Sequence, residues 1–364
     1  MSKRRYISDS SSTEDEIDEE IKPPPLKKKI VVIKPKIKFE DLPHVKSLND
    51  LIKVAETNKY YKNINNVMLW NILPSLKELQ SMIGMESVKE SIFFQIIYYL
   101  QGLHERNIDG DYLHTIITGK AGCGKTSISK ILANIYQSLG IFSSSSSSSS
   151  SGQPSKPKFK VVSREDFVGE YLGSTAVKTK KLLTSCLGGV LFVDELYSLG
   201  PGQKDRDSFS KEAIDTINLF LSEHKNDFCF IGAGYKEEIE KCFFSVNQGL
   251  KRRFQWYHNI EDYSHESLVD IFLKMVKDIN WSVNVDKKEL IKLFKDEKDL
   301  FKDGGGSVEQ LLSKIKVSHS IRVFGKESNQ RFNIVKDDIL EAIKLLKKFD
   351  NKDKKEKPVL SYYT

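Results

Sequence analysis

The 364-residue sequence is poor in cysteine, and its metal-binding residue types follow no recognisable spacing. The four cysteines, at 123, 186, 229 and 242, form no CxxC pair, and the seven histidines are scattered without an HExxH arrangement. This spacing argues against a disulfide framework or a zinc centre. It is typical of free thiols in a reducing compartment.

Long apolar runs and a strong excess of one charge are also missing. The longest apolar stretch begins at Ile92 and is interrupted by Gln95, so it is far shorter than the ~18 residues of a membrane span. The N-terminus lacks the apolar core of a secretory signal. A net charge of +7 is mild for a protein that binds duplex nucleic acid. We therefore expect a soluble intracellular protein, cytoplasmic or nuclear, with no membrane partner.

The stretch from Tyr112 to Thr126 contains the strongest motif in the chain. A short run rich in β-branched residues leads into a glycine-rich turn, and apolar residues then recur at helical spacing from Ile128 to Leu139. Strand, turn and helix in that order are the context that a GxxxxGK[ST] phosphate loop requires. Its backbone N–H groups and the helix N-terminus would face phosphate oxygens. The predicted nucleotide-binding residues are Gly119, Lys120, Ala121, Gly122, Cys123, Gly124, Lys125 and Thr126.

A second motif lies downstream, where the apolar residues Val190–Val193 are followed by Asp194 and Glu195. A buried strand that ends in two carboxylates places them at the edge of the sheet where ligands bind in open α/β folds. We expect Asp194 to complete a Mg²⁺ shell with the Thr126 hydroxyl. Glu195 would polarise the attacking water, while Lys125 neutralises the β and γ phosphate oxygens of ATP.

Composition divides the chain into five predicted segments. Residues 1–43 alternate basic, acidic and proline-rich blocks and are predicted to be a disordered charged tail; its basic clusters could serve nuclear import or contact nucleic acid. Residues 44–78 are predicted to be helical. A nucleotide-binding unit at 79–260 carries a poly-serine insert at 143–157, followed by a helical lid at 261–350 and a charged tail at 351–364.

The periodicity also predicts individual elements. Strands alternate with helices from 110 to 260, which favours an α/β fold with a parallel sheet covered by helices on both faces. Capping-box patterns at Ser47 and Ser307 predict helix starts. The stretch from Leu73 to Leu103 predicts a long amphipathic helix. Only helices are indicated from Ser264 onward, which predicts a small all-α bundle.

Together these motifs resemble the AAA+ ATPases, and more closely their CbxX/CfqX branch, which includes the red-type rubisco activases and stage V sporulation protein K. The resemblance extends from about Leu79 to Phe349. It rests on the stretches DFVGEYLGSTAVKTKKLL, GGVLFVDELYSL, SKEAIDTINLFLSEHKND, AGYKEEIEKCFF and NQGLKRRF, which follow the family's order. It implies a P-loop NTPase fold, binding of ATP and Mg²⁺, and assembly into rings, usually hexamers.

The resemblance also implies roles for residues outside the two motifs. Arg253 matches the arginine that reaches the γ-phosphate of the neighbouring subunit, and the adjacent Arg252 is the rival for that role. A planar, permanently charged guanidinium suits the charge that develops on phosphoryl oxygens. Tyr171 matches the aromatic residue that faces the central pore and grips an extended protein client.

Three positions depart from the family pattern. Residues Asp303–Ser307 read DGGGS where the family has an arginine at the start of a lid helix; Lys314 or Lys316 would be the substitutes. The strand ending in Gly234 and Tyr235 lacks the Asn or Thr that most AAA+ proteins use to orient water. Gln248 replaces a proline. These departures affect lid coupling and turnover more than nucleotide binding.

The sequence thus favours an ATP-hydrolysing ring that remodels or unfolds a protein partner. The basic tails leave open a nucleic-acid motor or loader. The missing lid arginine leaves open a nucleotide-binding scaffold with little turnover.

Overall fold

The computed structural model describes residues 38–106, 111–142, 159–171, 173–201, 207–326 and 331–355. The predicted poly-serine insert, most of the N-terminal tail and residues 356–364 lie outside these ranges. Strands β1 to β9 comprise Phe39–Glu40, Tyr60–Tyr61, Thr115–Thr118, Phe159–Val162, Val190–Val193, Cys229–Gly234, Trp256–Asn259, Ser282–Val283 and Asn333–Ile334. Helices α1 to α12 comprise Leu48–Glu56, Asn66–Ser81, Glu86–Leu100, Lys125–Ser138, Arg164–Phe167, Ser174–Ser185, Ser208–Glu223, Lys236–Glu238, His265–Asp278, Lys287–Asp296, Gly304–Val323 and Lys336–Lys355.

Five parallel strands form the central sheet in the order β4-β5-β6-β3-β7. Side chains alternate between its two faces, as the pleat of a strand requires. On β5, Val190 and Phe192 pack with α1 to α4, whereas Leu191 and Val193 pack with α5 to α7. The predicted α/β class is therefore confirmed: a parallel sheet is covered by helices on both faces.

Helices α9 to α12 enclose a third hydrophobic core of their own, which includes Phe272, Phe294, Leu311 and Ile343. We call residues His265–Lys355 the C-terminal helical part. It also contains a pairing that the sequence pattern did not indicate, because β8 and β9 form a two-stranded parallel sheet.

Several local predictions need correction. The expected long helix from Leu73 to Leu103 is broken after Ser81, because Gly84 and Met85 adopt left-handed backbone angles (φ 69° and 59°). The third helix of the C-terminal part begins at Gly304 rather than at Ser307, whose hydroxyl instead accepts a 3.1 Å hydrogen bond from the Asp303 N–H. The start at Ser47 is confirmed, since its side chain accepts from the N–H of Asp50.

The predicted tail also ends earlier than residue 43, because Phe39–Glu40 pairs with Tyr60–Tyr61 in a small parallel sheet. At the other end of the chain, α12 continues to Lys355. In the described part of the chain, no helix combines the length and apolar character needed to cross a bilayer.

Candidate functional site

The turn between β3 and α4 has the geometry of a phosphate-binding loop. Gly122 and Gly124 adopt left-handed backbone angles (φ 66° and 92°), which other residues rarely adopt, and Gly124 caps the N-terminus of α4. The Lys125 ammonium donates to the carbonyl oxygens of Gly119 (3.0 Å) and Lys120 (2.8 Å). This loop therefore combines a helix N-terminus with a lysine in the manner that anion binding requires.

The two predicted carboxylates, Asp194 and Glu195, lie directly after β5, and both are exposed at the C-terminal edge of the sheet. Glu195 adopts a left-handed conformation (φ 49°, ψ 50°), and its N–H donates to Asp194 Oδ1 at 3.0 Å. Such a conformation costs about 1–3 kcal/mol in a residue other than glycine and is concentrated at functional sites. It turns the Glu195 side chain away from the path of the strand.

A cavity of about 570 Å³ brings most of the predicted site residues together. Lys125, Thr126, Asp194 and Glu195 all line it, together with Ala121, Gly122 and Gly124. The other three predicted loop residues are not among its lining residues. The Gly119 N–H instead donates to the carbonyl of Gly234, Lys120 forms an ion pair with Asp262, and Cys123 is buried behind the loop.

Three tyrosines to which the sequence assigned no role also line this cavity, namely Tyr197, Tyr235 and Tyr263. The Tyr235 ring lies 5.6 Å from the Lys125 ammonium, and the Tyr197 ring lies 5.9 Å from that of Tyr235. Partial burial and the neighbouring Glu195 carboxylate raise the pKa of Tyr197 to about 12. Tyr197 therefore remains a neutral hydrogen-bond donor at physiological pH.

The glycines of β6 explain how this tyrosine reaches its position. A Cβ at Gly234 would lie 2.9 Å from the Tyr197 ring, and one at Gly232 would lie 2.4 Å from the Leu196 side chain. The turn Leu196–Leu199 can pack on β6 only because these positions lack side chains. The GAG pattern before Tyr235 was the one available sequence signal for this contact.

The C-terminal helical part completes the cavity by packing directly on the phosphate-binding loop. A Cβ at Gly122 would lie 2.1 Å from the Asp303 carbonyl, and the Tyr263 hydroxyl, just before α9, donates to the Cys123 carbonyl at 2.9 Å. Gly305 and Gly306 line the cavity where the family resemblance implied an arginine. Gly305 therefore allows a close backbone approach to the loop that a side chain at this position would prevent.

Neither proposed substitute for that arginine lies among the cavity-lining residues. The described lining includes Lys274 of α9 and Glu309 of α11, but not Lys314 or Lys316. Lys274 also donates to the Ser81 carbonyl at 2.9 Å, which joins α9 to the end of α2. The cation that the C-terminal helical part contributes to this cavity therefore comes from a different helix from the one that the sequence suggested.

The loop and carboxylates fit a nucleotide with its metal ion. Glycine is required at Gly122 and Gly124, which leaves the backbone accessible at the start of α4, and Lys125 supplies a positive charge. Thr126 and Asp194 supply the hard oxygen ligands that Mg²⁺ prefers. This set of groups suits the phosphates of a nucleotide together with a divalent cation.

The predicted residues outside the two motifs, Arg253 with its rival Arg252 and Tyr171, also lie outside the cavity. The Arg253 guanidinium is half-buried; it donates to Ser222 Oγ at 3.0 Å and to the Gly249 carbonyl, while Arg252 is exposed. Tyr171 has 74% of its surface exposed. Both predicted roles involve a second molecule.

Comparisons with known proteins agree with this geometry. Residues 115–256 match the AAA family, described as ATPases associated with various cellular activities. The chain is 38% identical over 292 residues to the cfxQ-like protein R730 of Acanthamoeba polyphaga mimivirus, which covers 79% of this chain and 68% of that protein. It is 33% identical over 213 residues to stage V sporulation protein K of Bacillus subtilis, covering 57% of this chain and 61% of that one.

More distant matches extend the comparison. The ESX-2 secretion system protein EccA2 of Mycobacterium tuberculosis is 33% identical over 199 residues, which cover 53% of this chain but only 30% of that protein. Among solved structures, a point mutant of Thermotoga maritima RuvB is similar, with a TM-score of 0.50 and 16% identity over 74% of this chain and 72% of that one. At that identity the similarity concerns the fold alone.

Proposed function

The chain belongs to the AAA family of ATPases, in its CbxX/CfqX branch, and on that premise we propose that it hydrolyses ATP with Mg²⁺ to remodel a protein partner. The observation that carries this proposal is the convergence of Lys125, Thr126, Asp194 and Glu195 on one cavity. These four residue types are the ones that phosphoryl transfer to water requires.

Each of the four residues has a distinct task in the proposed reaction. Lys125 neutralises the β and γ phosphate oxygens, and the N-terminus of α4 adds its positive end. Thr126 and Asp194 hold Mg²⁺, which when bound supplies charge neutralisation at the same oxygens. Glu195 accepts a hydrogen bond from the attacking water and so directs its lone pair at the γ-phosphorus.

We further propose that the protein works as a homo-oligomeric ring, with a hexamer as the expected form. The described residues that line the cavity of one chain include no arginine, and Arg253 lies outside it. An arginine from a neighbouring subunit would complete the site and make hydrolysis depend on assembly. In this arrangement residues 79–260 form the large subdomain and 261–350 the lid.

The exposed Tyr171 is the proposed contact with the client. A tyrosine with 74% of its surface exposed suits the binding of an extended polypeptide, because its ring offers apolar area at low entropic cost. Relatives of the chain are named for a sporulation stage and a secretion system. The second of these names supports a protein client over a nucleic acid.

The test combines turnover with native mass measurement. We expect ATP-dependent oligomers and turnover for the wild type, and no turnover for Lys125→Ala. Glu195→Gln should retain ATP but lose about 10²–10⁴-fold in rate. The Glu195→Gln protein, loaded with ATP and isolated from cells, would then retain its client for identification.

The role of Tyr171 is tested with the client that the Glu195→Gln protein identifies. Tyr171→Ala should hydrolyse ATP but no longer remodel the client, whereas Phe94→Ala, which truncates another exposed aromatic residue, should do both. Monomers regardless of nucleotide would overturn the ring. Turnover that depends on DNA, with a steep salt dependence, would replace the protein client by a nucleic acid. Equal turnover in wild type and Lys125→Ala would reject the ATPase.

A further inference from the structure

Arg164, the first residue of α5, lies between the turn that follows Glu195 and the loop that carries Tyr171. The turn Leu196–Leu199 begins immediately after Glu195, and the Ser198 N–H donates a 2.7 Å hydrogen bond to the Glu195 carbonyl. Because this hydrogen bond ties Ser198 to Glu195, we expect a change in the backbone at Glu195 to displace the Ser198 carbonyl as well.

The Arg164 guanidinium holds that carbonyl and three other groups at once. One terminal nitrogen donates to the carbonyls of Ser198 (2.6 Å) and Gly200 (3.3 Å) and to Ser210 Oγ (2.8 Å). The other pairs with the Asp207 carboxylate. One side chain therefore joins α5 to the turn after Glu195 and to the start of α7.

The ion pair between Arg164 and Asp207 is largely shielded from solvent. The side chains of Arg164 and Asp207 are only 31% and 22% exposed. Partial burial raises the pKa of the Asp207 carboxyl, but hydrogen bonds from Ser210 and the Arg164 guanidinium outweigh this effect and hold the pKa below its usual value. Asp207 also caps α7, since its side chain accepts from the Ser210 N–H at 3.1 Å. The guanidinium is therefore fixed at both ends.

The other end of α5 leads directly into the loop of Tyr171. The fully buried Phe167 ends this helix, and its carbonyl accepts a 3.1 Å hydrogen bond from Thr179 Oγ1 of α6. The next residues are held to the start of α6 as well, because the Gly169 N–H donates to Thr175 Oγ1 (3.0 Å) and the Tyr171 N–H donates to Ser174 Oγ (3.2 Å). A shift of α5 therefore moves Tyr171.

We propose that Arg164 is a positioning residue that couples nucleotide binding at Glu195 to the position of Tyr171. The inference rests on the proposed function and adds to it the route between hydrolysis and the client. An arginine is required because its planar fork reaches carbonyl, hydroxyl and carboxylate acceptors together, whereas a lysine ammonium cannot span them.

The experiment measures hydrogen–deuterium exchange with and without ATP in full-length protein carrying Glu195→Gln, which prevents hydrolysis. In that parent protein, ATP should change exchange both in the phosphate-binding loop (119–126) and in peptides covering 168–179. Adding Arg164→Gln should preserve the change at 119–126 and abolish it at 168–179. A merely structural role would alter exchange equally with and without ATP.

Lys178 offers the matched control. Its ammonium donates to the carbonyls of Glu165 (2.7 Å) and Val168 (2.8 Å), so it also anchors α5, but neither bond involves the turn after Glu195 or the start of α7. Lys178→Gln should therefore keep the ATP-dependent change at 168–179. Retention of the change in Arg164→Gln, or its equal loss in Lys178→Gln, would overturn the coupling role.

Arg164→Lys gives the same test in a protein that keeps the positive charge beside Asp207, in case Arg164→Gln does not fold. We expect it, too, to lose the response at 168–179, and full retention would count against the inference. Failure of the proposed function looks different, because the parent protein would then show no ATP-dependent change at 119–126.

Discussion

The Gly305 N–H donates a 3.1 Å hydrogen bond to the Gly122 carbonyl, so the first turn of α11 rests directly on the phosphate-binding loop. A Cβ at Gly305 would lie 2.9 Å from that oxygen, which is closer than real Cβ contacts allow, whereas one at Gly306 would find its nearest neighbour at 3.7 Å. The contact with Gly122 therefore requires glycine at 305 but not at 306, although the two residues are adjacent on one helix.

This difference makes a matched pair of variants. Gly305→Ala should push α11 off the loop and weaken ATP binding several-fold, measured by titration calorimetry. Gly306→Ala should leave ATP affinity near that of the wild type and raise thermal stability, because alanine is favoured over glycine in a helix by about 1 kcal/mol. Equal affinities in the two variants would mean that the contact with Gly122 has no part in nucleotide binding.

Tyr197 should affect turnover rather than binding. Its hydroxyl lies near the Glu195 carboxylate, where it can donate to that group, and Tyr197→Phe removes the hydroxyl while it keeps the ring that packs on Gly234. We expect kcat to fall about tenfold, close to the 1–1.5 kcal/mol of one hydrogen bond, with KM little changed. Steady-state kinetics measure both constants.

The control for that variant is Tyr235→Phe, which leaves the ring beside Lys125 in place. It should retain the kcat of the wild type. A Tyr197→Phe protein with unaltered kcat would show that Glu195 is held by its backbone alone.

A subunit-mixing experiment should show which of the two adjacent arginines, Arg252 or Arg253, acts at the neighbouring subunit's site. Arg253→Ala and Lys125→Ala should each be inactive alone, yet a mixture should regain activity where an intact loop meets an intact arginine, at about one quarter of the interfaces of a random ring. The ATPase rate across mixing ratios measures this recovery.

Arg252→Ala serves as the comparison. Because Arg252 is exposed while Arg253 bonds to Ser222 and Gly249, Arg253→Ala should also lower the melting temperature and Arg252→Ala should not. If the mixture with Arg252→Ala recovers activity and that with Arg253→Ala does not, the roles of the two arginines are exchanged.

Acid should destabilise the protein through two buried histidines. Burial lowers the pKa of His114 to about 3 and that of His258 to about 4. Below pH 6.5 the unfolded chain binds protons at these sites that the folded chain does not, so stability present above pH 6.5 is lost as the pH falls toward 4. Each unit of pKa difference corresponds to about 1.4 kcal/mol.

Denaturant titrations at pH 7.5 and 5 test this expectation. His258 has no described hydrogen-bond partner at either ring nitrogen, so His258→Leu should reduce the difference in unfolding free energy between the two pH values. The exposed His44→Gln should leave that difference unchanged. An unaltered difference in His258→Leu would assign the acid sensitivity to other groups.

The parts of the site that could be predicted from sequence are those encoded locally. Gly124, Lys125 and Thr126 occupy consecutive positions, and Asp194 and Glu195 follow an apolar strand, so spacing alone indicated their places. The contacts of Tyr197 with Gly234 and of Gly305 with Gly122 join residues far apart in the chain. No local pattern encodes such a pairing, because it depends on how the turn, the sheet and α11 pack together.

Helix boundaries were missed for a related reason. Apolar residues recur at helical spacing on both sides of Gly84, although the left-handed angles at Gly84 and Met85 interrupt the helix there. Ser307 matches a capping pattern, but α11 starts three residues earlier, where contact with the phosphate-binding loop favours a run of glycines. Tertiary contacts decided both cases.

The order of strands in the sheet gives the site its width. β6 lies between β3, which leads to Lys125, and β5, which leads to Glu195. Neighbouring strands are about 4.8 Å apart, so the two halves of the site stand about 10 Å from each other. β6 thus separates Lys125 from Glu195. Because its last residue is Gly234, β6 places no side chain in the space between them. A larger residue there would narrow the space in which the phosphates, the metal ion and the attacking water must fit.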